Sequence, residues 1–199
     1  MACSAITSAQ QEDVRQTLPE LVRRFAPQPV YQSRTHDFVL EALEQVLPRA
    51  ELVVHGIVER VTTYLSADQK DLYTDYSIRP LRVIRQPATP ALTRPGSAPA
   101  PRPIVVTRWG GQTTIEGVQV IQEDADVRAF EAGEEVVLLL ACNNTDGKYI
   151  LPSPASGAFS VGELGLKPLV KHGADDSVFD GVRGMTVAQF ESEVHRLTR

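Results

Sequence analysis

Residues 51–64, ELVVHGIVERVTTY, carry the clearest structural pattern in the chain, because they read as one long β-strand that changes character at a central glycine. Before Gly56 both faces of the strand are apolar, whereas after it apolar and polar residues alternate imperfectly. A strand that switches register at a glycine is expected to be bulged and strongly curled, as the closure of a small barrel requires. The stretch therefore predicts an architecture and indicates no chemistry.

Size and charge limit the class of protein. A chain of 199 residues with 42% hydrophobic content can bury one full core, so one domain with peripheral additions is favoured over two small ones. The net charge of −5 disfavours nucleic acids and anionic membranes as partners, since most nucleic-acid binders are basic. The longest apolar run, residues 136–142, is far shorter than the roughly 18 residues that span a bilayer, so a transmembrane segment is not expected.

The two cysteines, Cys3 and Cys142, are too few for a disulfide scaffold or a cysteine-built metal site. One long-range bridge between them stays open. Residues 1–4 fit either a cytoplasmic start or the remnant of a processed exported protein, and in the second case Cys3 would carry lipid. An incidental cysteine near a terminus is the more common explanation.

The N-terminal part of the chain has helical patterns. Thr17 and Glu20 have the spacing of a capping box, and the apolar residues around them predict one helix, or two abutting short ones, over about residues 8–25. A second helix is predicted over about residues 37–47, with Thr35 as its N-cap.

The middle of the chain has strand patterns. Strands are predicted at residues 51–64, 72–84, 104–109, 113–122, 136–141, 148–151 and 158–161. Gly110 and Gly111 have the form of a tight hairpin turn. Because residues 136–141 are uninterruptedly apolar, we expect that strand to be covered on both faces, with a helix over its outer side.

Four short motifs resemble a known group of proteins: AELVVHGIV at 50–58, YTDY at 73–76, F-x-x-G-E-x-V at 130–136 and GKY at 147–149. They are similar to uncharacterised bacterial proteins with an oligonucleotide/oligosaccharide-binding (OB)-like β-barrel, distantly similar to netrin-like domains and tissue inhibitors of metalloproteinases. The resemblance implies a barrel that is common in exported proteins. The inhibitors chelate zinc through an N-terminal cysteine beside the first strand, but Cys3 lies some 48 residues before it, so the inhibitory residues are not carried over.

The predicted fold is mainly β, an OB-like closed or partly open barrel of five to seven strands with N-terminal helices and a C-terminal helix packed on it. Residues 1–49 form a helical extension, and residues 50–162 form the barrel. Residues 163–199 form a C-terminal segment that ends in a helix, since Thr186 and Gln189 have the spacing of a capping box before an apolar stripe. Within the barrel, residues 85–103 contain six prolines and are read as an exposed loop stiffened toward polyproline II, either a plain connector or a ligand for a proline-recognising groove.

A search for catalytic and metal-binding patterns is negative. The four histidines, His36, His55, His172 and His195, share no ligand spacing. His55 lies within the first strand, where a hydrogen-bonded structural role is favoured over a place in a cavity.

Two polar clusters have alternative interpretations. The acidic cluster Asp68, Asp71 and Asp75 lacks the pattern of an EF-hand and is favoured as a solvated turn over a calcium site. Ser153 and Ser156 have no base nearby in sequence and are favoured as part of a tight turn over a nucleophile.

Aromatic and arginine residues in mid-chain are the candidates for binding, either as a recognition surface or as packed and solvated side chains. They are Trp109, Tyr73, Tyr76, Arg79, Arg82 and Arg108. The preferred function is a non-enzymatic binding module for an unknown protein or other macromolecule, with no cofactor and no metal, and an extracytoplasmic location is favoured over a cytoplasmic one. The alternatives are single-stranded nucleic-acid binding on the same face and a hydrolase whose site is not visible in sequence.

Overall fold

The structure is a computed structural model that describes residues 16–35, 40–86, 103–143, 147–171 and 177–199. It is mainly β, with 46% strand and 19% helix, which confirms the predicted class. The described helices are α1 (Leu18–Phe25), α2 (Leu43–Val46) and α3 (Val187–Leu197), with short 3₁₀ turns at Leu47–Arg49 and Ser177–Phe179. The strands are β1 (Val30–Arg34), β2 (Leu52–Leu65), β3 (Leu72–Arg85), β4 (Ile104–Trp109), β5 (Gly111–Ile115), β6 (Val118–Asp124), β7 (Glu135–Cys142), β8 (Tyr149–Ile150), β9 (Ala158–Gly162) and β10 (Gly165–Pro168).

Seven strands form one sheet in the order β10-β9-β7-β2-β3-β4-β8, and β8 also pairs with β7. This second pairing closes a ring of hydrogen bonds through five strands, β7, β2, β3, β4 and β8. The C-terminal region contributes β10 to this sheet, a strand that the sequence patterns did not indicate.

The strand with the glycine at its centre is β2, and the expected bulge at Gly56 is wrong for its pairing with β7. The antiparallel register runs without interruption from Leu52 opposite Leu140 to Ile57 opposite Glu135. Glycine is needed for another reason, since a Cβ at this position would lie 2.7 Å from the carbonyl oxygen of Arg79. The residue thus marks a close approach of two backbones.

A second sheet has three strands in the order β1-β6-β5. The hairpin predicted at Gly110 and Gly111 is wrong, because β4 and β5 belong to different sheets and the tight turn lies between β5 and β6, at Glu116 and Gly117. Both turn residues have positive φ, 50° and 81°, as a two-residue type I′ turn requires. Strand β1, which pairs in parallel with β6, was not predicted because its pattern is short and its partner is distant in sequence.

The helix predictions hold in part. The Thr17–Glu20 capping box begins α1, so in the described residues the helix predicted over about 8–25 starts at Leu18, and residues 8–15 lie outside them. A box formed by Thr186 and Gln189 begins α3. The second helix was predicted too long, because residues 40–42 are not helical and Ala42 is the N-cap of α2. Its predicted start at residues 37–39 lies outside the described residues.

Strand β7 confirms the expectation of a strand buried on both faces, since Val136–Leu140 are all fully buried. Its even-numbered residues pack in one core cluster, with Val54, Ile78 and Phe130 among others. Its odd-numbered residues Val137 and Leu139 pack in another, which includes Phe190 and Val194 of α3.

The chain divides into two compact units. Of the described residues, those within Met1–Arg34, Thr63–Thr74 and Trp109–Asp124 make up the first unit. The described residues within Thr35–Thr62, Asp75–Arg108 and Ala125–Arg199 make up the second unit. Strands β2, β3 and β4 contribute residues to both. None of the helices in the described ranges has the length and hydrophobicity needed to cross a bilayer.

Candidate functional site

Three aromatic side chains on neighbouring strands of the first unit form the main candidate site, which we call the aromatic row: Tyr64 on β2, Tyr73 on β3 and Trp109 on β4. The rings of Tyr64 and Tyr73 are stacked, with centroids 6.2 Å apart and planes inclined by 29°. Gly110 N–H donates to the carbonyl of Leu72 at 2.8 Å, which sets the adjacent residues Trp109 and Tyr73 side by side on the same face.

The row is accessible, with 37% of Tyr64 exposed and with Tyr73 and Trp109 half-buried. A charged pair fixes its Trp109 end. The Arg34 guanidinium lies over the indole, 4.4 Å from the ring centroid. One oxygen of Asp71 accepts hydrogen bonds from Arg34 Nη2 at 2.7 Å and from Trp109 Nε1 at 2.9 Å. The indole is therefore held in one orientation before any ligand arrives.

Buried polar groups support the strands that carry the row. Gln122 is 1% exposed, and its Oε1 accepts from Leu72 N–H while its Nε2 donates to Lys70 O and Gln32 Oε1. These hydrogen bonds hold the backbone at Leu72, which lies between Asp71 and Tyr73 in the chain. Thr74, also buried, donates from Oγ1 to Gly110 O at 2.6 Å. The backbone beneath the row is thus tied to the three-stranded sheet by satisfied hydrogen bonds.

The electrostatics of the row favour a donor at Tyr73. Burial raises the pKa of Tyr73, and the Asp71 carboxylate adds to the rise. A phenol is protonated at neutral pH already at its ordinary pKa, so Tyr73 can donate a hydrogen bond there, and the raised pKa extends this into the alkaline range. The described part of the first unit holds four basic and six acidic residues, so this part of the unit is acidic on balance.

Two of the six predicted binding residues, Trp109 and Tyr73, lie together in the row. Tyr76 does not qualify as a surface residue, which corrects the prediction. It is 3% exposed, and its ring packs edge-on against Phe130 with centroids 4.7 Å apart. The reason is strand alternation, since Tyr76 points to the opposite face of β3 from Tyr73.

The three predicted arginines lie in the second unit, and each has a partner there. Arg79 pairs with Glu59 and Arg82 pairs with Glu191, both at 2.7 Å. Arg108 donates to the carbonyl of Arg128 at 2.9 Å, and its guanidinium lies over the Phe130 ring.

Sequence reasoning missed Tyr64, Arg34 and Asp71 as members of the site. Tyr64 could have been found, because it ends the strand opposite Tyr73 in the β2–β3 hairpin. No local signal pointed to Arg34, since β1 reaches this place through pairing with β6.

The polar residues considered for catalysis have structural partners. His55 Nε2 lies 2.6 Å from Glu135 Oε1, which agrees with a hydrogen-bonded structural histidine. Ser156 Oγ accepts from Glu41 N–H, and the N–H groups of Ser156 and Gly157 donate to Ser153 O, which confirms the tight turn. His36 and His172 lie outside the described residues.

The three aspartates do not converge on one ion. Asp68 accepts from Ser66 Oγ, Asp71 pairs with Arg34, and Asp75 pairs with Lys148 at 2.7 Å. Across the ranges that the structure describes, no group of three or more acidic, histidine or cysteine side chains is placed to hold a metal. The Cys3–Cys142 bridge rests on Cys3, which lies outside those ranges.

In comparisons with known protein families and with curated proteins, this sequence matches no family model and no curated protein.

Proposed function

We propose that this protein is a binding module that performs no chemistry of its own, and that the aromatic row is its recognition surface. The observation that carries the proposal is the accessible set of three rings on three neighbouring strands, with Arg34 and Asp71 fixed at one end. Aromatic side chains offer large contact areas at low conformational cost, and aromatic and arginine residues dominate binding surfaces. Held rings also lose little entropy when a partner binds.

The proposal can be tested with the protein's own fluorescence, because Trp109 is the only tryptophan in the chain. We expect at least one class of probe among single-stranded oligonucleotides, proline-rich peptides and neutral oligosaccharides to shift the Trp109 emission saturably. The affinity measured from this shift should be at least tenfold lower in Tyr64→Ala. The matched control is Tyr31→Ala, because Tyr31 is an exposed tyrosine of the same unit that lies outside the row. Equal effects of the two substitutions, or no shift with any probe, would contradict the proposal.

A second candidate function is the binding of single-stranded nucleic acid, which the Arg34–Trp109 contact favours, because bases stack on aromatic rings and arginines pair with phosphates. The acidic balance of the unit weighs against it. A gel-shift assay with single-stranded DNA at increasing salt concentrations tests this function, since electrostatic binding must weaken steeply as salt rises.

The absence of catalysis is part of the same proposal. It is tested by a broad hydrolase screen in which the wild type is compared with Ser156→Ala and His55→Ala. Turnover that either substitution abolishes would replace the binding module with a hydrolase.

We further propose that the five-strand ring is an OB-like barrel and that the protein works outside the cytoplasm, in line with the exported proteins that the strand motifs resemble. Fractionation of cells that express the native gene tests the location. Incorporation of labelled palmitate that is lost in Cys3→Ser would add a lipid anchor to it.

A further inference from the structure

The proline-rich segment of this chain has a composition that complements the aromatic row. Residues 87–102, which lie outside the described ranges, contain five prolines, Arg94 and Arg102, and no acidic residue. The unit that carries the row has more acidic than basic residues in its described part. The two parts of the chain therefore have net charges of opposite sign, and the prolines of one can pack on the aromatic rings of the other.

We propose that the aromatic row of one copy binds the proline-rich segment of a second copy, so that the protein associates with itself head to tail. The inference rests on the proposed binding function of the row and names its partner. Proline-rich sequences favour the polyproline II conformation, and such strands dock on aromatic-lined surfaces with little loss of entropy.

The row offers a continuous aromatic surface to such a ligand. A polyproline II strand has three residues per turn and rises about 3.1 Å per residue, so prolines three positions apart lie on the same face of the strand. Pro87 and Pro90 have this spacing. That face can lie on the stacked rings of Tyr64 and Tyr73, whose centroids are 6.2 Å apart.

Hydrogen bonding and charge fit as well. The carbonyls of a polyproline II strand have no internal partners and need donors. The Tyr73 hydroxyl remains protonated at neutral pH, so it can supply one. Arg94 and Arg102 of the segment would face a unit that is acidic on balance, in which Asp68 lies close enough to Tyr73 to contribute to the rise of its pKa.

A surface and its ligand on different parts of one chain produce a heterologous interface, which extends into open chains unless the rotation closes a ring. This property gives a sharp test by complementation. One variant, Tyr64→Ala, removes an exposed ring of the row, and the other replaces the five prolines of residues 87–102 by serine in the full chain. Urea unfolding of both variants checks that they remain folded.

We expect the sedimentation coefficient of the wild type to rise with concentration and that of each variant alone to stay monomeric. An equimolar mixture of the variants should form a one-to-one complex and nothing larger, because each supplies the half that the other lacks. A synthetic peptide of residues 87–102 should shift the Trp109 emission of the full chain. A peptide with alanine in place of proline should bind at least tenfold more weakly.

Several results would overturn the inference. A wild type that stays monomeric at its highest soluble concentration excludes a second copy as the source, even if the peptide binds. If the alanine peptide binds with the same affinity as the proline peptide, charge alone explains the interaction and the prolines are not recognised. If the peptide fails while another probe shifts the Trp109 emission in a Tyr64-dependent way, the binding function stands and only this partner is wrong. If no probe does so, both fail.

Discussion

The two units differ in what they bury. The second unit buries five consecutive residues of β7, Val136–Leu140, between two large apolar clusters. The first unit has one small cluster of seven buried apolar residues. Each unit buries two polar side chains, Thr74 and Gln122 in the first and Ser153 and Ser156 in the second, but those of the first bond the backbone of the strands that carry the aromatic row. Apolar burial scales with stability, whereas buried hydrogen bonds add little net free energy but specify geometry. The comparison assigns stability to the second unit and a positioned surface to the first.

The largest effect is expected from Leu139→Asp, which places a charge in the second unit at a fully buried position. An unpaired buried carboxylate should lower the free energy of unfolding by about 4 kcal/mol or more. Urea unfolding followed by far-UV circular dichroism measures the loss. Leu139→Met, which keeps the volume, should cost less than about 1.5 kcal/mol. A small effect of the aspartate would mean that β7 is not the centre of the core.

The same variant sharpens the comparison through a second probe. Trp109 belongs to the first unit, so its emission reports that unit alone. A cluster of seven buried residues is too small to hold a fold independently, so both probes should show one transition. Trp109 emission that survives the loss of the circular dichroism signal would show an autonomous first unit.

Next in size is Gln122→Leu, which removes the buried amide beneath the row. Leu72 N–H then loses its partner, and we expect a loss of about 2–3 kcal/mol from the unsatisfied group. The control is Gln119→Leu on the exposed face of the same strand, which should stay within about 0.5 kcal/mol. If both substitutions cost the same in urea unfolding, the amide does not position the row.

The comparison also explains what the sequence could predict. In the second unit, β7 and α3 have strong local patterns, a run of apolar residues and a capping box before an apolar stripe, and both were predicted. In the first unit, β1 and the Glu116–Gly117 turn were missed, because β1 depends on a parallel pairing with the distant strand β6. Gly110 and Gly111 were interpreted as a turn. The structure gives Gly111 another reason, since a Cβ at this position would clash with Thr63 and Thr74.

The residues of the candidate site divide in the same way, into those that a local sequence pattern indicates and those that only the tertiary structure brings together. Tyr73 and Trp109 were chosen as aromatics on strands, which residue type alone allowed. Tyr76 was chosen wrongly, although it shares one face of β3 with the apolar residues Leu72 and Ile78, and that face is the buried one. Arg34 and Asp71 required the tertiary pairing that brings them to the indole.

A smaller effect is expected at high pH. Because the folded-state pKa of Tyr73 is raised, the folded protein binds the proton more tightly than the unfolded chain. Stability should therefore be full below about pH 10, the ordinary tyrosine value, and should fall as the pH rises above it. Tyr73→Phe should remove this part of the alkaline loss and one of the phenolate absorbance changes that occur above about pH 10, where Tyr31 and Tyr149 also titrate because their pKa values are raised. If the phenolate absorbance that disappears in Tyr73→Phe is one that titrates at the ordinary tyrosine pKa, the ring is not in a buried, acidic setting.

The smallest effect on stability is expected from deleting residues 87–101 and joining the ends by a short glycine turn. Loop length enters the closure entropy only logarithmically, so the midpoint of thermal unfolding should stay within a few degrees of the wild type. The matched comparison is the full chain with the segment's prolines replaced by serine, which keeps the length. Both chains should fold and both should lose self-association, because each lacks the proposed ligand of the row while Tyr64, Tyr73 and Trp109 are intact.

A collapse of folding in the deletion alone would show that the segment's length, and not its prolines, is needed by the core of the second unit. Retained self-association in both would mean that copies meet through another surface.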